Sequence, residues 1–289
     1  MTPDVLLLAL RFLRYGLAML LWGAGLYATL VVPAGLGIRL RTRIADLPVL
    51  AAVALVTVVA LRLPLMAASF ATGWPDALRP DVLAAVLQTW TGTGWIVEAV
   101  LAVFLVAAAG SPRLRWRITT PLAGLLLATS VMTGHAAIGA GVLGPLHQLL
   151  DAAHLLAAGF WLGALPPLAL MLKDEGASPD AVRAIERFGT AGQAAVAVVL
   201  LTGITNALLV KRGVPLSWSS TYDILLLLKI TVVLGMTGLA AYNRLGLLPR
   251  LAIGSNNAAR TLRRTALLEA ALGLTAVGLV SVFGTLDTA

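Results

Sequence analysis

Cysteine is absent from this chain. Disulfides, thiolate metal centres and iron–sulfur clusters are therefore excluded, although the absence says nothing firm about redox compartment. Charge is scarce too: 12% of the 289 residues are Asp, Glu, Lys or Arg, against about 25% in a soluble protein. With 59% of residues hydrophobic, no soluble fold could hide the apolar surface. No stretch is long or polar enough for a separate soluble domain, so residues 1–289 read as a single transmembrane domain. The basic excess that gives a net charge of +8 is scattered over many loops. A nucleic-acid partner would need a contiguous basic face interleaved with aromatics, and none is seen. The glycines at 139–141 lack the following Lys-Ser/Thr of a phosphate loop. No nucleophile–base constellation can be assembled around the histidines, so no enzyme activity is expected. No internal repeat or low-complexity tract is evident.

What the chain has is apolar helix. Eight stretches are long enough to cross a bilayer, at about 12–33, 48–70, 91–110, 119–138, 146–171, 190–210, 222–243 and 264–285. The expectation is an all-α polytopic bundle embedded in membrane lipid. The N-terminus starts acidic, Arg11 and Arg14 interrupt its apolar run, and no small-residue cleavage site follows, so it reads as an uncleaved first span. Loops 34–47, 111–118, 172–189 and 244–263, with Arg264 adjoining, carry fourteen basic residues; the intervening loops carry three (Arg79, Lys211 and Arg212). By the positive-inside rule both termini lie outside, as do loops 71–90, 139–145 and 211–221. Arg11 and Arg14 sit awkwardly on the outer side of this topology. Residues 79–87 suggest a short interfacial helix with Asp81 in its first turn. Trp74, Trp90, Trp95 and Trp218 flank the outer edge, as interfacial tryptophans do.

All three histidines fall within 20 residues. His147, Asp151 and His154 are spaced i, i+4, i+7, and Trp161 follows at i+14; at about 100° per residue they share one stripe of the fifth span. His135 ends the fourth span across a Gly-rich turn. The stripe reads as a path into the bilayer, with His135 and His147 at the mouth and Asp151 and His154 below. Met132 shares the face of His135, and Met66 is a looser candidate near the outer end of the second span. A lone buried histidine is ordinarily a satisfied hydrogen-bonding group, and a span methionine ordinarily packs. Three imidazoles beside a carboxylate are less easily explained by packing, and point to metal or proton chemistry. Imidazole with thioether suits copper better than magnesium or calcium, and a neighbouring carboxylate also suits Cu(II) or zinc.

Other ionisable groups also lie within spans. Arg62 and Glu98 stand at comparable depth and are expected to pair, since either alone is costly in a bilayer. Lys229 is a turn and a half below Asp223, and is expected to partner Asp223 or reach Asp151. Glu269, near the inner end of the last span, is expected to pair with Arg263 or Arg264.

The run His147-x3-Asp151-x2-His154-x2-Ala157-x3-Trp161-x-Gly163-x-Leu165 resembles the copper resistance protein D (CopD) family. Downstream, Arg187-Phe188, Thr202-Gly203, Trp218, Thr221-Tyr222, Lys229, Asn243-Arg244, Pro249 and Glu269 fit the same pattern, although Tyr222 and Asp223 stand where Thr-x-Tyr-Gly is expected. The resemblance covers about 120–285; the first three spans share only hydropathy. It implies a multi-pass protein of the bacterial inner membrane that handles copper, with the ion passing from periplasm toward cytoplasm. His147, Asp151 and His154 match the motif, and His135 matches a preceding histidine. Copper-chaperone or Met-rich extensions are absent, so a separate periplasmic copper-binding donor is implied. Asp151 would orient an imidazole or neutralise the ion. No comparable ligand set marks the inner half of the path. The rival expectation is an electron-transfer cytochrome with b-type haem, held by His135 and either His147 or His154 from adjacent helices.

Overall fold

The computed structural model describes residues 2–133, 143–211, 217, 218 and 220–283. Among these residues there is no β-strand, and the helices pack as an all-α bundle. In chain order they are α1 (Pro3–Leu26), α2 (Ala34–Arg43), α3 (Leu47–Phe70), α4 (Pro80–Leu87), α5 (Trp90–Gly110), α6 (Arg115–Ala128), α7 (Leu143–Glu175), α8 (Pro179–Lys211), α9 (Thr221–Tyr242), α10 (Leu248–Ala252) and α11 (Asn256–Phe283). A π-helical segment, Tyr27–Val31, extends α1, and another, Asn243–Leu247, joins α9 to α10. A 3-10 turn, Thr129–Thr133, extends α6.

Seven of the described helices are long and apolar enough to span a bilayer. The expected fourth span, 119–138, is described as α6 and its 3-10 turn as far as Thr133, and its remainder, with His135, lies outside the described residues. Two expected loops are largely helix instead. Loop 172–189 shrinks to a turn at 176–178, because Pro179 starts α8 at a position where its missing N–H is harmless. Gly176 makes that turn at a φ of +55°, a conformation costly for other residues. Loop 244–263 is likewise mostly taken up by the π-segment, α10 and the first turns of α11. The short helix expected at 79–87 is α4, with Asp81 in its first turn.

Helix α7 is the centre of the bundle, packed against α1, α8 and α11. It crosses α1 at two glycines, where a Cβ on Gly23 would stand 2.6 Å from the Gly163 backbone. Small residues at such a crossing let backbones approach where no hydrophobic force drives helices together. Trp22 adds a polar tie, donating from Nε1 to the Leu156 carbonyl at 2.9 Å.

The four basic loops gather at one end of the bundle. Arg39 and Arg43 of α2 pair with Glu175 and Asp174 at the end of α7. Arg115 donates to the Ala45 carbonyl at 3.0 Å, and the Ala177 N–H donates to Asn256 Oδ1 at 3.3 Å. At the other end of α1, Asp4 accepts from Ser69 of α3. Trp74, Trp90 and Trp218 are exposed, whereas Trp95 turns inward and donates to the Val59 carbonyl at 2.7 Å.

Candidate functional site

The polar stripe of α7 faces α8 and α9. His154 meets Thr202 of α8, with Nδ1 and Oγ1 3.0 Å apart. Thr202 has one hydroxyl hydrogen, and it is directed at the Val198 carbonyl 2.5 Å away, as Ser and Thr in helices commonly do. With its hydrogen so used, the hydroxyl offers the imidazole an acceptor, which places the proton on Nδ1. With Nδ1–H held by α8, Nε2 carries the lone pair. This is the tautomer and tether a metal-binding histidine ordinarily receives from its surroundings.

One turn toward the N-terminus of α7, Asp151 Oδ1 accepts from Asn206 Nδ2 at 3.3 Å. Asn206 lies four residues after Thr202, so α8 matches the Asp151–His154 pair with two polar groups of its own on one face. The Asn206 Oδ1 atom is buried and has no hydrogen-bond partner among the described residues. Lys229 of α9 completes the group, its ammonium coupled electrostatically to Asp151 and felt by His154. The alternative partnership of Lys229 with Asp223 is not formed. Asp223 instead accepts from Lys211 Nζ and the Ser217 N–H, each at 2.9 Å.

His147 lies another turn toward the N-terminus, in the first turns of α7. His135 falls outside the described residues. Met132 is in the 3-10 turn and packs against the apolar cluster containing Leu155, on the side of α7 facing α1 and α6. Met66 is partly buried in α3. Among the described residues no three His, Asp or Glu side chains are gathered closely enough to hold an ion as the structure stands. The donors of α7 instead follow one another along the helix.

Trp161 belongs to a second polar group. It is buried, and its indole N–H donates to Glu269 of α11. Glu269 also accepts from Asn243 Nδ2 at 2.5 Å. Glu269 thus bonds to Trp161 and Asn243 rather than to Arg263 or Arg264, which lie six and five residues away and off its face of the helix.

Arg62 and Glu98 pair as expected, and a third residue joins them. Arg14 of α1 binds the other oxygen of the same carboxylate and donates to Ser130 Oγ at 2.9 Å. Glu98 is 0% exposed and Arg14 2%. Arg14 is therefore an interior partner of Glu98, which removes it from the charges that sat awkwardly outside.

Residues 1–145 match the family "Copper resistance protein D-like, N-terminal domain", and residues 182–283 match "Copper resistance protein D". The chain is 33% identical to "Copper resistance protein D" of Pseudomonas syringae pv. tomato, over 98% of this chain and 97% of that one. It belongs to the copper resistance protein D family. It is also 34% identical to "Inner membrane protein YebZ" of Escherichia coli K12 over 97% of both chains. "Copper transport protein CutJ" of Bacillus subtilis is 32% identical over 63% of this chain and 36% of its own. No solved structure matches. This copper resistance protein D relative is a multi-pass protein of the inner membrane. The kinship extends to residue 1, beyond the 120–285 expected from sequence motifs. The polar stripe of α7 lies between the two matched segments.

Proposed function

We propose that this protein carries copper from the periplasmic side of the inner membrane toward the cytoplasm, along the polar stripe of α7. The observation that carries the proposal is His154 bonded through Nδ1 to Thr202, one turn from Asp151, an arrangement that leaves Nε2 to a ligand. Ionisable groups placed so within a span ordinarily mark an ion path. The names of two relatives, a copper resistance protein and a copper transport protein, indicate the ion.

In this account a periplasmic copper-binding protein delivers the ion at the outer end, where His147 and His135 receive it. Copper then moves to His154 Nε2. Asp151 offsets the incoming charge and the Asn206 oxygen offers a further donor. Lys229 balances Asp151 while no ion is bound and retreats from it on loading, so the site stays close to neutral throughout. The donors are strung along the helix rather than closed into one cage, as conduction requires: each site must release what it binds. The chain transports and does not transform its substrate, which remains Cu(I) or Cu(II).

Proteoliposomes loaded with a fluorescent copper chelator test the proposal. Copper added outside is taken up by the wild-type protein, and His154→Ala lowers the initial rate at least tenfold. Uptake no faster than in empty vesicles overturns it.

A further inference from the structure

The inner end of the α7 stripe carries a polar group that the outer site does not use. Trp161 lies seven residues beyond His154, about 10 Å further along the helix. It donates to Glu269, which also accepts from Asn243. Asn243 opens the π-helical segment and accepts from Thr265 Oγ1 at 2.5 Å. Segments of π-helix are rare and frequently accompany functional sites.

Glu269 is 2% exposed, and both of these partners are neutral. The other acids buried in the described spans have cations: Glu98 has Arg14 and Arg62, and Asp223 has Lys211. A carboxylate in a low-dielectric interior without counter-charge is unfavourable unless a cation or proton joins it. Met236 of α9 supplies a soft donor on the other side of the shared neighbour, Trp161. It is buried in the same small cluster as Trp161, and it lies seven residues beyond Lys229, as Trp161 lies seven beyond His154.

We propose that Met236 and Glu269, gathered around Trp161, form an inner cation site that receives a soft or borderline transition-metal ion after His154. The thioether selects for softness and the carboxylate supplies the charge the ion lacks. The inference rests on the copper-permeation reading and extends it to the half of the path for which the sequence offered no ligands.

The test uses the full-length protein in detergent, titrated anaerobically with Cu(I) alone against a chromogenic Cu(I) chelator. His147→Ala/His154→Ala isolates the inner site and is expected to retain one Cu(I) with a sulfur neighbour in X-ray absorption. Adding Met236→Leu, close in volume, removes the sulfur and weakens binding at least tenfold. Adding Glu269→Gln instead keeps an acceptor for Asn243 and Trp161, and weakens binding as much. With the histidines intact, Glu269→Gln lowers proteoliposome uptake at least tenfold and leaves one ion bound at the outer site. Retained sulfur scattering and unchanged uptake in both variants overturn the inner site, whatever the histidines bind. Loss of all copper from the double-histidine variant overturns it too. If the double-histidine variant matches wild type while Met236→Leu abolishes binding, the inner site stands and the histidine reading falls.

Discussion

Glu98→Gln separates a charge effect from a packing effect more cleanly than any other substitution in this bundle. One carboxylate, fully buried, holds two guanidinium groups that are 2% and 8% exposed. The trio carries one surplus positive charge, so the two arginines are not equivalent to the acid between them. Glu98→Gln preserves shape but leaves two buried cations facing each other without an anion. Removing one partner of a buried ion pair costs about 3–5 kcal/mol. At about 2–4 °C per kcal/mol for a chain of this size, the melting temperature falls by about 6–20 °C. Arg62→Met has the opposite logic: it removes the surplus charge and leaves the Arg14–Glu98 pair neutral, still supported by Ser130. Apolar replacement at such a site is often neutral, and a loss below about 1 kcal/mol is expected. Thermal unfolding in micelles, followed by circular dichroism, measures both. A loss from Arg62→Met equal to or larger than that from Glu98→Gln refutes the charge-surplus argument.

Three further predictions concern other parts of the molecule. Thr202→Val keeps the shape of α8 but removes the acceptor of His154 Nδ1–H; loss of such a tether commonly weakens metal binding about 10–100-fold, and a Cu(I) competition titration should show it while Thr202→Ser stays near wild type. Gly163→Ala sets a methyl against the Met19 backbone at the α1–α7 crossing, and overpacking of this kind costs about 1–3 kcal/mol, read as a lower melting temperature. Between α3 and α5, hydrogen bonds from Thr72, then Arg79, hold the Asp76 carboxyl below the usual carboxylate range. Its folded pKa being the lower one, the stabilisation is fully present above the unfolded value of about 3.9 and is lost as pH falls through the folded value. Hydrogen exchange in residues 71–89 should therefore rise on acidification below about pH 4, and Asp76→Asn should remove that dependence.

Hydropathy sufficed for the membrane bundle, and the basic loops identified by charge do gather at one end. Helical spacing sufficed for the α7 stripe, because Asp151, His154 and Trp161 lie on a single element whose geometry is known in advance. What sequence could not supply was the partner on another helix. Thr202 entered only through the family resemblance and Asn206 not at all, although their i, i+4 spacing in an apolar span was a signal. Arg14 was assigned to topology, yet it lies within the apolar run and needed an acid at its depth. Lys211 was counted with the outer loop, and it is buried against Asp223. Glu269 was matched to its neighbours in sequence, where the 100° rotation per residue already places them on a different face. Helix α8 begins earlier than expected because its first turns are polar, facing the basic end of the bundle rather than lipid.

The most direct test of the central claim is the metal content and visible spectrum of the purified protein, wild type beside His147→Ala/His154→Ala. The account predicts bound copper in the wild type, one ion fewer in the double variant, and no Soret band in either. A Soret band lost with the histidines would make them haem ligands and contradict the copper path. Equal copper in both proteins would contradict it as well, by removing the α7 histidines from the site.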